Sequence, residues 1–363
     1  MKNRKDLYRR ICLFWGVLGM LLCCGCNTRE LEDRGFPLAI GIDKTEEGMV
    51  LSFDFADLSG GTDAKKPSGK AVSFSVEAGA YYEAQKAYEN NTNKVLDYNH
   101  LKAIIIGQEF MADKQALGDL LSWLEHEEVV ARNTCLFVAK EQAAEILTLT
   151  EDTGGSVGAY LEQMLETQED FKENRIMTIG KLMNQWHNQN ELLLIPVLSN
   201  NGNVPSITEY AAVDAFSYCG IISAEDAMKA FLCQGQLKQF LYHLNSGEVL
   251  QIENIKNHMA IQEMEGKTLV TIKLSGKASV KKDGENAGVT NRWLEKRLNE
   301  QLAYSLNQTA AELLEENSLD ISNSYYKLGA YQRELYGKYQ KDYSGYKENL
   351  MIQFLVEMEV INE

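Results

Sequence analysis

The stretch Asp97-Tyr98-Asn99-His100-Leu101-Lys102-Ala103-Ile104-Ile105-Ile106-Gly107 decides the fold of the first half of the chain. Three consecutive isoleucines predict a strand covered on both faces, as the inner strands of parallel and mixed sheets are. A helical pattern over residues 115–125 follows, and Cys135–Ala139 is a second buried run. Residues 140–147 again favour a helix, so the order strand, helix, strand, helix predicts a mixed sheet covered by helices.

Further strands and a long helix surround this region. Apolar residues alternate with polar ones over residues 51–55, which predicts a half-buried strand, and again over residues 352–360. Leucines at every fourth position from 294 to 306 form one apolar stripe of a long helix. A strand at residues 192–197 is predicted to lie at a sheet edge, because Pro196 has no backbone N–H. We therefore predict an α+β, multi-domain fold in which helices flank mixed and antiparallel sheets.

The segment Asn200-Asn201-Gly202-Asn203-Val204-Pro205 is rich in turn-forming residues, and we interpret it as the linker between two domains. The chain is thereby divided into a signal peptide (residues 1–25), an N-terminal α+β domain (residues 27–200) and a C-terminal α+β domain (residues 206–363). A further division of the C-terminal domain near residue 285 stays open.

The first 25 residues have the features of a secretory signal. Five basic side chains and one acidic one precede Ile11–Leu22, which is an uncharged run of twelve residues. A bilayer span needs about 20 apolar residues, so this run is short for a membrane helix. The basic residues before it place the N-terminus in the cytoplasm and the rest of the chain outside. The alternative is an uncleaved anchor helix that also includes residues 23–26.

The small residues after the apolar run resemble a bacterial lipobox, in which a small residue precedes a lipidated cysteine. Gly25-Cys26 fits this pattern best, so we predict that the Cys26 thiol is the lipid attachment site and that Cys26 becomes the mature N-terminus. Cys23 and Cys24 are alternative acceptors. Two acyl chains hold a protein stably at a membrane, whereas one chain does so only marginally.

The acidic character of the chain excludes some classes of partner. The net charge is −16, and removal of residues 1–25 leaves 31 basic and 51 acidic side chains, a net charge of −20. A nucleic-acid-binding protein needs a basic surface, so we expect no nucleic-acid partner. The same acidity does not suit a polybasic contact with anionic lipid. We therefore expect the lipid, and not charge, to hold the chain at the membrane.

Only three cysteines follow the signal, namely Cys135, Cys219 and Cys233. Three scattered cysteines do not make a disulfide framework. Cys135 lies in an apolar run and is expected to be a small core residue. Pairing of Cys219 with Cys233 stays open, with free thiols favoured.

The motifs predict no catalytic residue, no metal site and no cofactor. Gly154-Gly155-Ser156-Val157-Gly158 matches the G-x-S-x-G pattern of hydrolases, but polar residues precede it where a nucleophile elbow needs an apolar strand. The five histidines lack the spacings typical of metal sites. The tyrosine-rich residues 325–346 either form a binding surface or pack on the last sheet, and we favour packing.

Several segments, in order along the chain, resemble the Ger(x)C lipoproteins, which are the C subunits of spore germinant receptors. Arg29-Glu30-Leu31-Glu32-Asp33 and Ala39-Ile40-Gly41-Ile42-Asp43 resemble the N-terminal signature of that family. Asn99–Gly107 is similar to its most recognisable motif, and Arg132–Lys140 contains a second. Tyr331–Tyr346 and the final strand resemble its C-terminal end. The sequence departs from the family at Asn27 and Thr28, where tryptophan and aspartate usually follow the lipidated cysteine.

The resemblance implies a non-enzymatic, lipid-anchored subunit at the outer face of the inner spore membrane. Its implied partners are two membrane-embedded germinant receptor subunits, a large A subunit and a transporter-like B subunit that senses the nutrient. Two other classes of function stay open. One is a lipid-anchored solute-binding protein of a transporter, which requires two α/β lobes around a pocket. The other is a surface hydrolase that uses Ser156.

Overall fold

The computed structural model describes residues 33–55, 72–92, 94–127, 130–149, 155–167, 176–187, 191–282 and 290–361. The predicted signal peptide, the lipid site Cys26 and the alternatives Cys23 and Cys24 lie outside the described residues. The same holds for the predicted boundary near residue 285.

The described residues contain strands and helices in similar measure. The strands are β1 (Arg34–Gly35), β2 (Pro37–Lys44), β3 (Met49–Phe55), β4 (Val72–Ala78), β5 (Val95–Leu96), β6 (Ala103–Gly107), β7 (Cys135–Ala139), β8 (Leu193–Asn201), β9 (Val204–Asp214), β10 (Ser217–Ser223), β11 (Phe240–His243), β12 (Val249–Met264), β13 (Lys267–Lys282) and β14 (Leu350–Val360). The helices are α1 (Tyr81–Thr92), α2 (Gln108–Ala112), α3 (Lys114–His126), α4 (Ala143–Leu147), α5 (Val157–Thr167), α6 (Ile179–His187), α7 (Ala224–Gln234), α8 (Asn291–Asn317), α9 (Ser324–Tyr331), α10 (Arg333–Tyr339) and α11 (Tyr343–Glu348). The α+β class is thereby confirmed.

The first half is built on an eight-stranded mixed sheet with the order β10-β9-β8-β7-β6-β2-β3-β4. Neighbours from β8 to β2 are parallel, and the outer strands are antiparallel. The isoleucines of β6 are fully buried. Ile105 faces a layer that includes α4, α5 and α7, while Ile104 and Ile106 face α1, α3 and α6. The prediction of a strand covered on both faces is confirmed.

β3 is buried on both faces, although its alternating pattern predicts half-burial. Ser52 and Asp54 lie on the face opposite Phe53, and all three are at most 1% exposed. Both polar side chains form hydrogen bonds, although Asp54 Oδ1 has no partner among the described residues. The Ser52 hydroxyl lies 2.8 Å from the Ser75 hydroxyl, and Asp54 accepts hydrogen bonds at the start of α5. The half-burial prediction is wrong because alternation cannot distinguish water from buried polar partners.

The predicted linker at residues 200–205 is the turn of the β8–β9 hairpin. Its two central residues, Gly202 and Asn203, have φ values of 63° and 74°, which suit the type I′ turn of a two-residue hairpin. The sheet therefore continues through β9 and β10 to residue 223. The linker interpretation is wrong, because the same residue types form tight turns and linkers. The division into domains of residues 27–200 and 206–363 stays a prediction.

β8 is an inner strand, so the edge position predicted from Pro196 is wrong. β8 pairs with β9 along its whole length. Its pairing with β7 begins only at Val197. Pro196 therefore precedes the parallel ladder and does not have to donate a hydrogen bond to β7, so the usual objection to an inner proline does not apply.

The second half is built on a four-stranded sheet with the order β11-β12-β13-β14 and on α8. The predicted leucine stripe is confirmed, since Leu294, Leu298, Leu302 and Leu306 are at most 3% exposed. They pack with the inner face of the sheet in one apolar core that extends through α7 to the first sheet. Burial of this apolar stripe stabilises the packing of α8 against the sheet.

Asparagine side chains of α8 cover the free edge of β14. The Asn299 amide accepts a hydrogen bond from the Met358 N–H (2.7 Å) and donates one to the Met358 carbonyl (3.1 Å). Asn307 makes the same pair of contacts with Phe354 (3.0 and 3.4 Å). An open strand edge presents unpaired backbone groups that invite association. These two amides pair the backbone groups of Phe354 and Met358 at that edge within the chain.

Candidate functional site

The first described residues enter the fold beside the motif that begins at Asp97. β1 pairs in parallel with β5, and the Asp97 N–H donates to the Gly35 carbonyl oxygen (2.9 Å). Arg34 Nη1 lies 2.6 Å from Asp97 Oδ2. The entry point of the chain is therefore attached to this motif by backbone pairing and by an ion pair.

Asp97 also caps the short 3-10 turn Tyr98–His100. Its Oδ1 accepts hydrogen bonds from the backbone N–H of Asn99 (3.0 Å) and from the Asn99 side-chain amide (2.6 Å). Burial raises the pKa of Asp97, but the Asn99 hydrogen bonds and the Arg34 guanidinium outweigh burial and hold that pKa below its ordinary value. Asp97 is thus a fixed anion that joins the entry strand to the turn.

The turn presents polar side chains beside the entry point. Asn99 and His100 are exposed, whereas Leu101 is buried. The Phe36 ring meets the His100 ring edge to face, with centroids 5.2 Å apart. Lys102 Nζ lies 2.8 Å from Glu162 Oε1 on α5. The motif therefore has a structural part, which is the buried strand, and an exposed part suited to contact with another surface.

Replacement of Arg34 by methionine is expected to loosen the entry strand. The loss at pH 7 should be about 1 kcal/mol, because Asp97 keeps Asn99 but loses its charged partner at a part-exposed position. The folded-state pKa of Asp97 lies below its unfolded value, so its stabilising contribution is present above about pH 4 and disappears as the pH falls through the folded-state pKa. Urea unfolding from pH 7 to pH 2 should show the variant and the wild type converging. If the free energies of unfolding of the variant and the wild type differ by the same amount at every pH, the stabilising role of ionised Asp97 is contradicted.

Ser156 of the G-x-S-x-G pattern is a helix cap. Its hydroxyl donates to Asp54 Oδ2 (2.9 Å) and accepts from the Ala159 N–H (3.2 Å). Asp54 also accepts from the Gly158 N–H (2.9 Å). Burial raises the pKa of Asp54, although these hydrogen bonds act in the opposite direction. Ser156 is 6% exposed, and these contacts are those of a structural cap, so the geometry gives the hydrolase hypothesis no support.

The described histidines and cysteines do not assemble into a site. His187 Nε2 lies 2.7 Å from Glu125 Oε1, and His126 Nδ1 lies 2.6 Å from the Ser122 carbonyl oxygen. No group of three or more His, Cys, Asp or Glu side chains in the described ranges has the arrangement of a metal site. The three cysteines after the signal, including Cys219 and Cys233, are free thiols.

The tyrosine-rich segment forms α9, α10 and α11 and packs largely on itself. Tyr325, Tyr339 and Tyr346 are at most 5% exposed. The ring centroids of Tyr325 and Tyr346 are 5.2 Å apart. Tyr326 and Tyr331, in contrast, are exposed. The three buried tyrosines are core residues, as the packing interpretation predicts, but these ring contacts lie within the segment, and packing on the last sheet stays a prediction.

Sequence reasoning missed the polar contacts between this segment and the first sheet. Lys347 Nζ lies 2.6 Å from Asp214 Oδ2, and the Tyr343 hydroxyl donates to Asp214 Oδ1 (2.9 Å). The Asn323 amide exchanges two hydrogen bonds with the Leu192 backbone (2.7 and 3.1 Å). The sequence contains an aspartate after an apolar run, but no local signal pairs it with a lysine 133 residues later.

Comparisons with known proteins agree with the motif resemblance. Residues 27–200 match the family model of the spore germination protein N-terminal domain. The fold is similar to that of the GerBC protein in its crystal structure, with a TM-score of 0.60 over 89% of this chain and 97% of GerBC, at 15% identity. At this identity the likeness shows the fold alone. A search of curated proteins gave no sequence match.

These findings identify the class of the N-terminal domain. Residues 27–200 are a spore germination protein N-terminal domain, and the fold of the chain is similar to that of GerBC. This domain belongs to the GerAC family of N-terminal domains, as the motifs predict. In the part of the chain that the structure describes, no helix has both the length and the apolar character needed to cross a membrane.

Proposed function

We propose that the protein is the lipid-anchored C subunit of a nutrient germinant receptor. It is a non-enzymatic component that acts in spore germination together with the membrane-embedded A and B subunits. The observation that carries this proposal is the family match over residues 27–200, which begins directly after Gly25-Cys26. The mature chain would then start at the lipidated cysteine and continue at once into the germination domain.

The length of the tether limits where the body can lie. Arg34 is eight residues after Cys26, and an extended chain spans at most about 3.6 Å per residue, so Arg34 stays within about 29 Å of the lipid. Because Arg34 is bound to Asp97, the exposed Asn99 and His100 also stay near the outer face of the inner spore membrane. Tethering raises the effective concentration of this surface beside membrane-embedded partners, so even weak contacts become populated.

The lipid site is tested by replacing Cys26 with alanine. We expect the variant to lose incorporation of labelled palmitate and to move from the membrane fraction to the aqueous fraction, because no thiol remains at the predicted acceptor. Cys24→Ala and Cys23→Ala are the matched controls and should keep both label and membrane association. Label retained in Cys26→Ala would show that another cysteine is the acceptor.

The receptor function is tested in spores that contain this chain as their sole receptor C subunit, so that paralogues cannot mask its loss. Deletion of the chain should abolish germination triggered by nutrients, whereas germination induced without nutrients should be unchanged. Restoring the wild-type chain should recover the response. Spores that respond to every nutrient without the chain would refute the proposal.

The fold does not favour the alternative function of a lipid-anchored solute-binding protein. That class requires two α/β lobes around a pocket. Here the eight-stranded sheet and the four-stranded sheet differ in strand number and in strand order, so the halves are not a matched pair of lobes. We therefore favour the receptor subunit.

A further inference from the structure

The strand β11 forms an open edge of the four-stranded sheet. It pairs with β12 alone among the described residues. The opposite edge strand, β14, has its backbone groups at Phe354 and Met358 paired by side chains of α8. In the described part of the chain no hydrogen bond covers the outer side of β11 in this way. An uncovered strand edge presents donors and acceptors that can pair with another chain.

The hydrogen bonds around β11 show which of its backbone groups lie on the open side. In an antiparallel strand the N–H and C=O groups of alternate residues point to the same side. Two backbone bonds fix the side that faces β12, namely Leu244 N–H to the Glu248 carbonyl oxygen (2.9 Å) and Ile255 N–H to the Lys238 carbonyl oxygen (3.3 Å). Even-numbered residues therefore face β12. The N–H and C=O groups of Leu241 and His243 point away from the sheet.

A groove of about 490 Å³ runs along this edge, between β11, α7 and α8. All four residues of β11 line it. Just beyond the strand, the Asn245 N–H donates to Gln301 Oε1 of α8 (3.2 Å), and both residues also line the groove. The backbone at this end of the edge therefore faces the groove and is already paired there by a side chain, whereas Leu241 and His243 are not.

The walls of the groove are largely apolar. Met228 and Leu232 of α7 lie on one side, and Leu302 and Tyr304 of α8 lie on another. Tyr304 is 71% exposed, and Leu241 on the strand is 51% exposed. Large apolar side chains that remain this exposed beside an unpaired strand edge are typical of a surface that another chain covers.

The charged side chains at the groove favour a basic residue in the occupant. Lys229 is nearly buried, and its Nζ lies 2.9 Å from Glu225 Oε1 and 3.5 Å from Asp226 Oδ1. One lysine and two carboxylates leave a net charge of −1 at this wall. The Glu225 side chain is largely exposed and lines the groove, so it is available to a second cation.

We propose that β11 binds an extended segment of a partner polypeptide, which continues the sheet as an added strand. Alternate residues of the segment pair with the outward backbone groups of Leu241 and His243. One apolar side chain of the segment enters the groove beside Tyr304, and a basic one contacts Glu225. A polypeptide is the occupant because its own backbone offers donors and acceptors at the spacing of a strand.

A single segment suits this site better than the edge of a second copy does. Pairing of β11 with β11 of another copy would satisfy the backbone but would leave the groove between α7 and α8 unfilled. A flexible segment can do both, because its side chains alternate between the two faces of the sheet. Binding of this kind does not require the lipid anchor or the membrane-embedded subunits, so its failure would leave the proposed function untouched.

The probe is a displayed library of random twelve-residue peptides, selected on the full-length chain in detergent micelles. We expect the enriched peptides to alternate apolar and polar residues and to contain a basic residue. One enriched peptide is then synthesised with a single N-methyl group at each position in turn, and its affinity is measured by fluorescence anisotropy. Methylation at alternate residues should weaken binding about tenfold, and methylation at the residues between them should change it little, because only one edge of the peptide faces β11. Failure to enrich any peptide, or equal loss at every position, would overturn the proposal.

Variants of the chain locate the binding. Leu241→Pro removes an outward N–H and no bond to β12, so the thermal midpoint should fall little while peptide affinity falls about tenfold. Leu241→Thr keeps that N–H and is the matched control. Tyr304→Ala should weaken binding, whereas Tyr326→Ala, at an exposed tyrosine on α9, should not.

Two results with these variants would contradict the proposal. Equal peptide affinity in Leu241→Pro and Leu241→Thr would show that the outward N–H of residue 241 is not used. Sedimentation of the wild-type chain as a dimer that Leu241→Pro dissociates would show that a second copy, and not a separate segment, covers β11.

Discussion

A Lys347→Met variant is expected to lose about 3–5 kcal/mol of stability at neutral pH, which is the usual consequence of removing one partner of a buried ion pair. Asp214 is 1% exposed at its side chain, so its carboxylate cannot turn to water. The Tyr343 hydroxyl would remain as a donor, but it carries no charge to balance the anion. The contact between the tyrosine-rich segment and the first sheet should therefore weaken.

The loss should depend on pH in a defined direction. Burial raises the pKa of Asp214, although Lys347 and Tyr343 oppose this. A raised folded-state pKa means that the contribution of the group is most favourable below its unfolded pKa of about 4 and declines as the pH rises through the folded-state value. Removal of Lys347 raises the folded-state pKa of Asp214 further. The difference in free energy of unfolding between variant and wild type, measured with urea, should therefore be larger at pH 8 than at pH 4.5.

Two controls isolate the buried pair. Lys338→Met breaks the exposed contact between Lys338 and Glu263, and it should change stability little at either pH. Adding Asp214→Asn to Lys347→Met removes the unbalanced charge and keeps an acceptor for Tyr343, so most of the lost stability should return. If the double variant is as unstable as Lys347→Met alone, the aspartate charge is not the cause.

A Gly158→Ala variant is expected to lose about 2–3 kcal/mol, the upper part of the range for overpacked sites. A Cβ at this position would lie 2.5 Å from the Leu38 carbonyl carbon and 2.9 Å from the Ala39 nitrogen. Both atoms belong to the backbone of β2, which cannot rotate away as a side chain can. α5 would have to move, and the hydrogen bond from the Gly158 N–H to Asp54 would lengthen.

Gly337 is the matched control, because it also lies in a helix and nothing lies within 4 Å of its added Cβ. Gly337→Ala should stabilise the chain by about 0.5–1 kcal/mol, since alanine loses less backbone entropy in a helix than glycine does. Thermal unfolding of both variants should therefore show shifts of opposite sign. Thermal midpoints that shift by the same sign and size in both variants would show that the close approach of α5 to β2 does not require glycine at position 158.

Much of the fold follows from local pattern. The isoleucine run gives a buried inner strand and the leucine stripe gives α8, because burial is repeated with the period of each element. Turn composition also located residues 200–205, but it did not distinguish a hairpin from a linker. Pro196 and Asp54 led to wrong expectations because both depend on neighbours distant in sequence, namely β7 and α5.

Only part of the candidate site could be predicted from the sequence. The motif from Asn99 to Gly107 is visible in the sequence and supports the family resemblance. Its attachment to the entry strand through Arg34 and Asp97 required the structure. The burial of the Tyr81 hydroxyl without a partner among the described residues was also invisible in the sequence, because a tyrosine near the start of a helix gives no sign of it.

The sequence by itself determined the class of fold, the helix and strand positions with a strong period, and the family of the N-terminal domain. These depend on residues near one another along the chain. Only the tertiary structure decided the strand order and the burial of Asp54 and Asp214. Each of these depends on contacts between segments that are far apart in sequence, and the free energy of a buried polar group is set by those contacts and not by its own residue type.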